Sequence, residues 1–155
     1  MALNIVLVEP EIPHNTGSIA RTCALTNTNL HLVRPLGFSV EDKYLKRAGL
    51  DYWHLVNIYY YDSFEELIGK YPNQDFYFAT TKTNRAYTDF TYKDESFFVF
   101  GKETKGLAKE ILEQHAETTI TIPMIQSIKR SLNLSNSANI ILFEALRQLD
   151  FPGLR

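Results

Sequence analysis

Cysteine is almost missing from this chain: Cys23 is the only one in 155 residues. A lone thiol excludes an intramolecular disulfide framework and a paired-cysteine zinc site. Long apolar runs are missing too, since none approaches the roughly 18 residues that a membrane span needs. The opening Met-Ala-Leu-Asn-Ile-Val-Leu-Val-Glu-Pro lacks the basic start of a secretory signal and reads as a first strand. These absences predict a cytoplasmic protein. Nor is either charge in excess, because 16 Lys and Arg against 18 Asp and Glu leave a formal net charge of −2. That argues against a generally basic nucleic-acid coat and leaves room for a local basic patch.

Several motifs are missing as well. Gly101 and Gly106 have the glycine spacing of a P-loop, but Leu107-Ala108 stand where Lys and then Ser or Thr are required. No GxGxxG follows the first apolar run, and neither a GxSxG elbow nor an HExxH helix occurs. His14, His31, His54 and His115 are scattered without metal-ligand spacing, so no metal is expected. Asn133-Leu134-Ser135 matches the glycosylation triplet, which has no meaning in a cytoplasmic chain.

What is present is an alternation of short apolar runs with helical patterns, in a composition that is 45% hydrophobic and 22% charged. Strands are expected at 3–8, 30–33, 55–59, 75–80, 96–100 and 118–122. The first helix is expected from Asn15 as N-cap, with Ile19, Cys23 and Leu25 inward. A short helix is expected over 41–47, and another from a capping box at Ser63 and Glu66 to about Lys70. A further helix is expected over 105–114. In the last helix, Ala138, Ile141, Leu142, Ala145 and Leu149 recur at helical spacing behind a cap at Ser135 or Asn136. The loop 82–94 is long enough to be functional. Alternating strands and helices predict one α/β domain over 1–155, with a mostly parallel sheet flanked by helices.

Three segments use residues that a plain core would not choose. Pro13-His14-Asn15-Thr16-Gly17-Ser18-Ile19-Ala20-Arg21 crowds polar groups at a loop-to-helix junction, where N–H groups and the helix dipole favour an anion. Phe97 to Leu107 is a buried strand ending in Gly101, a residue that lets a ligand approach the backbone, followed by a charged turn. In 122–137, hydroxyl and amide groups alternate with Leu132 and Leu134, as in a pocket wall with an apolar slot. Taken singly, an ordinary capped helix, a tight strand–helix turn and a polar loop would explain most of them.

Taken together and in this order, they resemble the SPOUT methyltransferases. The resemblance is closest to the TrmL (YibK) branch of tRNA (cytidine/uridine-2′-O)-methyltransferases, which act at the wobble nucleotide. It spans almost the whole chain, including Glu9-Pro10-Glu11-Ile12-Pro13, Pro35-Leu36-Gly37-Phe38, Gly49-Leu50-Asp51-Tyr52 and Ser131-Leu132-Asn133-Leu134-Ser135-Asn136. It implies a SPOUT fold with a C-terminal trefoil knot, which no periodicity could reveal. It also implies S-adenosyl-L-methionine bound in that knot by Ala79, Thr80, Gly101, Ile122, Met124, Ser131 and Leu132. Arg21, Asn15, Glu103, Ser131 and Asn133 match the family's catalytic motif positions. Arg21 suits a phosphate clamp and electrostatic activator better than a base, because a guanidinium stays protonated. The resemblance further implies a homodimer, with the last helix at the interface.

The RNA partner would be the tRNA anticodon arm, gripped by Lys43, Lys46, Arg47, Lys82, Arg85, Lys102, Lys105, Lys129 and Arg130. Tyr44, Trp53 and Tyr87 could stack on a splayed base, whereas Tyr59-Tyr60-Tyr61 reads as a half-buried strand. Three positions depart from the family pattern: Ser18 where Asn is usual, Lys102 where many relatives have Pro, and Phe143 where Tyr is frequent. Other readings are a 2′-O-methyltransferase for another tRNA position or ribosomal RNA, a non-catalytic protein that binds S-adenosylmethionine, and a general nucleotide-binding module.

Overall fold

Residues 4–8, Asn-Ile-Val-Leu-Val, are buried on both faces, as in a strand covered by helices on either side. In the computed structural model, which describes residues 1–39, 43, 47 and 52–155, this strand is β1 (Asn4–Val8). It lies inside a six-stranded sheet with β2 (Asn29–Val33), β3 (Ile58–Tyr61), β4 (Phe76–Ala79), β5 (Phe97–Phe100) and β6 (Thr119–Ile120). Every strand pairing is parallel, and the spatial order is β3-β2-β1-β5-β4-β6. All strands therefore end at one edge. The chain winds outward from β1 through β2 to β3, then crosses to the other side for β4 and β5. This reversal opens a crevice beyond the ends of β1 and β5, where α/β sheets bind ligands.

The period-two alternation of the strands divides two cores. Ile5, Leu7, Leu30, Leu32, Phe98 and Phe100 face α1 (Pro13–Thr26) and α4 (Leu134–Gln148), which contribute Ile19, Ala20, Cys23, Ala138, Ile141, Leu142 and Ala145. Val6, Val33, Phe78, Phe97 and Val99 face the opposite way, onto Phe64 and Leu67 of α2 (Phe64–Lys70) and Leu107. A short α3 (Lys109–Gln114) precedes β6. Burial of each large side chain stabilises the fold by roughly 1.5–3 kcal/mol.

Several boundaries differ from expectation. Helix α1 starts at Pro13 with Ile12 as its N-cap, so Asn15 lies inside the first turn and its side chain is free for another task. Leu25 is 58% exposed, because it follows Cys23 by two residues and so lies about 200° round the helix. Leu55 belongs to a 3-10 turn, and the third strand starts at Ile58. Residues 101–108 form a turn rather than the start of α3: Gly106 donates its N–H to the Lys102 carbonyl at 2.8 Å and takes φ +68. Asn133, not Ser135 or Asn136, caps α4 by accepting the Asn136 N–H at 2.8 Å.

Half of the capping box at Ser63 forms, and the return bond falls one residue earlier, on Asp62 rather than on the cap itself. Ser63 Oγ accepts the Glu66 N–H, while Glu66 Oε2 accepts from the Asp62 N–H. Of the helix expected over 41–47, Lys43 and Arg47 are helical; Tyr44, Lys46 and residues 49–51 lie outside the described residues. Among the described residues, no helix is long and apolar enough to cross a membrane.

Candidate active site

The crevice at the strand ends is a cavity of about 450 Å³. Its walls come from four strand-end loops. Ile12 and Asn15 follow β1, Ala79 and Thr80 end β4, the 101–107 turn follows β5, and Ile122, Met124, Ser131, Leu132 and Asn133 follow β6. All seven residues expected to bind the cofactor line it, together with Asn15, Glu103 and Asn133. Arg21 does not. It is six residues beyond Asn15, about 240° round α1, where it is exposed and its guanidinium lies 5.0 Å over the Tyr52 ring.

Gly101 lines the cavity, and its own chain also packs closely on it. A Cβ there would sit 2.1 Å from the Gly106 carbonyl carbon and 2.2 Å from the Leu107 nitrogen. The glycine thus folds the 101–107 turn into the pocket wall.

A chain of hydrogen bonds joins the loops. Glu103 Oε1 accepts the Glu11 N–H at 2.7 Å; its Oε2 accepts the Ile12 N–H at 2.9 Å and an Asn15 Nδ2–H at 3.2 Å. Asn15 Oδ1 accepts from Asn133 Nδ2 at 3.5 Å. Asn133 Oδ1 serves the α4 N-terminus and takes the Ser135 hydroxyl at 3.2 Å. Glu103, Asn15 and Asn133, far apart in sequence, are therefore one continuous network from the β1 loop to the last helix. The Glu11 carboxyl is held below its ordinary value by hydrogen bonds from the Thr104 backbone and side chain, with Lys102 and Lys105 adding to the effect.

Lys82, Lys102 and Lys105 rim the cavity, and Lys102 pairs with Glu9 at 3.5 Å. Lys129 and Arg130 line an adjoining cleft of about 530 Å³ that shares Thr81, Thr121, Ile122, Met124 and Ser131 with the first. Arg85 is exposed, and its Nη1 donates to the Ala116 carbonyl at 2.7 Å and to Thr119 Oγ1 at 3.4 Å, fastening the long loop to β6. Lys43 and Arg47 are exposed. Trp53 and Tyr87, which could stack on a base, are partly buried and pack against the core. Tyr59 is half exposed and Tyr61 buried, as the strand reading of the tyrosine triplet requires.

Glu11 and Gly37 also shape the site, and both lie in segments that carry the family resemblance, 9–13 and 35–38. A Cβ at Gly37 would lie 2.8 Å from Glu11 Cα, and the Gly37 N–H donates to the Pro10 carbonyl. The signal was present in the Glu-Pro-Glu-Ile-Pro stretch, but its partner Thr104 is 93 residues away.

A parallel sheet with a polar-rimmed cavity at its switch point defines an α/β protein built to hold a small ligand across strand-end loops. The chain belongs to the SpoU rRNA Methylase family, whose model matches residues 2–143. It is 55% identical over 157 residues to a protein of Geobacillus stearothermophilus provisionally named a tRNA (cytidine(34)-2′-O)-methyltransferase, covering 99% of each chain. It is 48% identical to the tRNA (cytidine(34)-2′-O)-methyltransferase of Methylovorus glucosotrophus, covering 97% of each. A solved structure concerned with 2-OH methylation of C/U34 on tRNA superposes with a TM-score of 0.91 at 37% identity, covering 96% of this chain and 97% of that one.

Proposed function

We propose that this chain transfers a methyl group from S-adenosyl-L-methionine to the ribose 2′-oxygen of the wobble nucleotide of tRNA. The observation that carries the reading is full-length similarity to proteins named for that activity, together with the meeting of all the expected cofactor residues in one cavity. The cavity suits the donor. Ala79, Ile122, Met124 and Leu132 offer an apolar slot for adenine, Thr80 and Ser131 offer hydroxyls, and the volume is in the usual range for such ligands. When bound, the donor supplies an activated methyl on a sulfonium.

The protein's part is alignment and electrostatics. Asn15, Glu103 and Asn133 keep the loops in register, and Ser131, at the junction of the two clefts, meets the incoming ribose. Lys82, Lys102, Lys105, Lys129 and Arg130 hold phosphates around this mouth, and the exposed Lys43 and Arg47 are further candidates for the anticodon arm. Arg21 acts on a second copy of the chain, as phosphate clamp and activator, because it is exposed and turned away from its own cavity. The homodimer is supported by the outward Leu25 and Phe143, 58% and 45% exposed; the inward apolar stripe of α4 serves the protomer's own core.

The knot is part of the same proposal. Residues 85–87 flank the extension of β6 through the Ala86–Thr121 bridge, and the chain then returns from the sheet edge to place α4 against α1. Residues 1–155 act as one catalytic domain in the cytoplasm. The test is transfer from labelled S-adenosylmethionine onto tRNA lacking the modification, with the product mapped. One 2′-O-methyl group at nucleotide 34 is expected, and incorporation into a base overturns the mechanism. Because the family description refers to rRNA, ribosomal RNA is the second substrate to assay; methylation there alone moves the reading to that target.

A further inference from the structure

We propose that Glu11 is a positioning residue for methyl transfer: it locks the loop after β5 onto the loop after β1 and so fixes Glu103 and Asn15 at the cavity wall. The inference rests on the methyl-donor reading of that cavity. Its basis is a crossed exchange between two glutamates. Glu11 Oε1 accepts the Thr104 N–H at 2.9 Å and the Thr104 hydroxyl at 2.8 Å. Glu103, the residue just before, returns the contact by accepting the Glu11 and Ile12 N–H groups. Each loop thus presents a carboxylate to the other's backbone, so neither can shift without breaking both sets of bonds. Hydrogen bonds to an ionised acceptor are the strong kind and hold geometry well.

Glu11 cannot back away either. Gly37 packs directly behind it, with no room for even a Cβ, and Gly37 is hydrogen-bonded to Pro10. The Asn15 amide then extends the clamp to Asn133 and the last helix. Glu11 does not face the cavity, so its influence passes through Glu103.

The experiment compares Glu11→Ala and Glu11→Gln by amide hydrogen exchange in ligand-free protein and by calorimetry with S-adenosylhomocysteine. Both Thr104 bonds fall on one oxygen, which a glutamine carbonyl can replace. The alanine variant is expected to speed exchange at amides 11, 12 and 104 by about tenfold and to weaken binding by about tenfold. Amides of β1 and β5 should stay protected, and the glutamine variant, which keeps the acceptor and loses only its charge, should restore most of both readouts. Thr104→Val, which removes only the hydroxyl, should give a smaller change in the same direction. Faster exchange at amide 104 alone with affinity intact overturns the proposal, as does a glutamine variant no better than alanine. If the unmodified protein binds no S-adenosylhomocysteine, the donor reading fails, while the exchange pattern still decides the clamp.

Discussion

The two ends of the sheet carry two polar networks of different character. At the amino end, His31 is buried and stacked against Tyr59 and Tyr61 of the neighbouring strand. Its Nε2 meets Asn4 Oδ1 at 2.9 Å and its Nδ1 meets the Tyr61 hydroxyl at 2.9 Å. Asn29 Nδ2 also donates to Asn4 Oδ1, so that oxygen needs the Nε2–H tautomer; Tyr61 then donates to Nδ1 and Tyr71 to Tyr61. The network is neutral, and only a cleft of about 160 Å³ adjoins it. At the carboxyl end, the network is ionised, made of loop backbone and bordered by the large cavity. Closed neutral networks specify packing. Open charged ones, built where strands stop and N–H groups are left over, hold loops and ligands.

The sharpest way to break this comparison is at Gly101. Gly101→Ala puts a Cβ onto the Gly106–Leu107 backbone, which cannot yield as a flexible side chain would. The expected result is a loss of S-adenosylhomocysteine affinity of about a hundredfold or more, with the His31 end unaffected by amide exchange. Affinity within a few-fold of the parent would show that the turn is not part of the site.

His31→Leu should do the converse. It removes one of two partners from Asn4 Oδ1 and from the Tyr61 hydroxyl, which keep Asn29 and Tyr71, costing about 1–3 kcal/mol of stability, read by denaturant unfolding. Cofactor affinity measured below the unfolding range should stay as in the parent. A variant equally damaging to both would mean that the two ends are coupled through the sheet.

Acid should separate the ends as well. Burial pushes the His31 imidazole down from its ordinary 6.5 to about 4. Between those values the unfolded chain takes up a proton that the folded one resists. Stability should therefore fall as pH drops from 6.5 towards 4, by up to about 3 kcal/mol, with no further loss from this group below that. Unfolding curves across this window test it, and the slope should flatten in His31→Leu.

The pattern of apolar residues made the six strands and the inward face of the last helix legible, because period-two and period-3.6 burial are local properties. Helix starts were less so. Asn15 looks like a cap by composition, yet Pro13 begins the helix and Asn15 is spent on Glu103. The cavity residues came from family resemblance rather than from periodicity. Gly101 reads as a ligand contact in sequence, and only the fold brings Gly106 against it. The exchange between Glu11 and Thr104 spans 93 positions, and no local rule pairs two acidic loops at that separation. Arg21 shows the same limit from the other side: its motif position is plain, but only the folded helix turns it away from its own cavity.

The smallest expected effect falls on Asn133, the residue where fold and site overlap most closely. Its Oδ1 caps α4, and its Nδ2 reaches Asn15 at 3.5 Å, a long bond of modest strength. Removing a cap costs about 1 kcal/mol, so Asn133→Ala should lower stability by that amount. Asn133→Asp keeps the acceptor and improves the charge at the helix N-terminus, but it loses the donor to Asn15. The aspartate variant should therefore recover stability without recovering the transfer rate in single turnover. Recovery of both would assign Asn133 to the helix alone and end the charged network at Asn15.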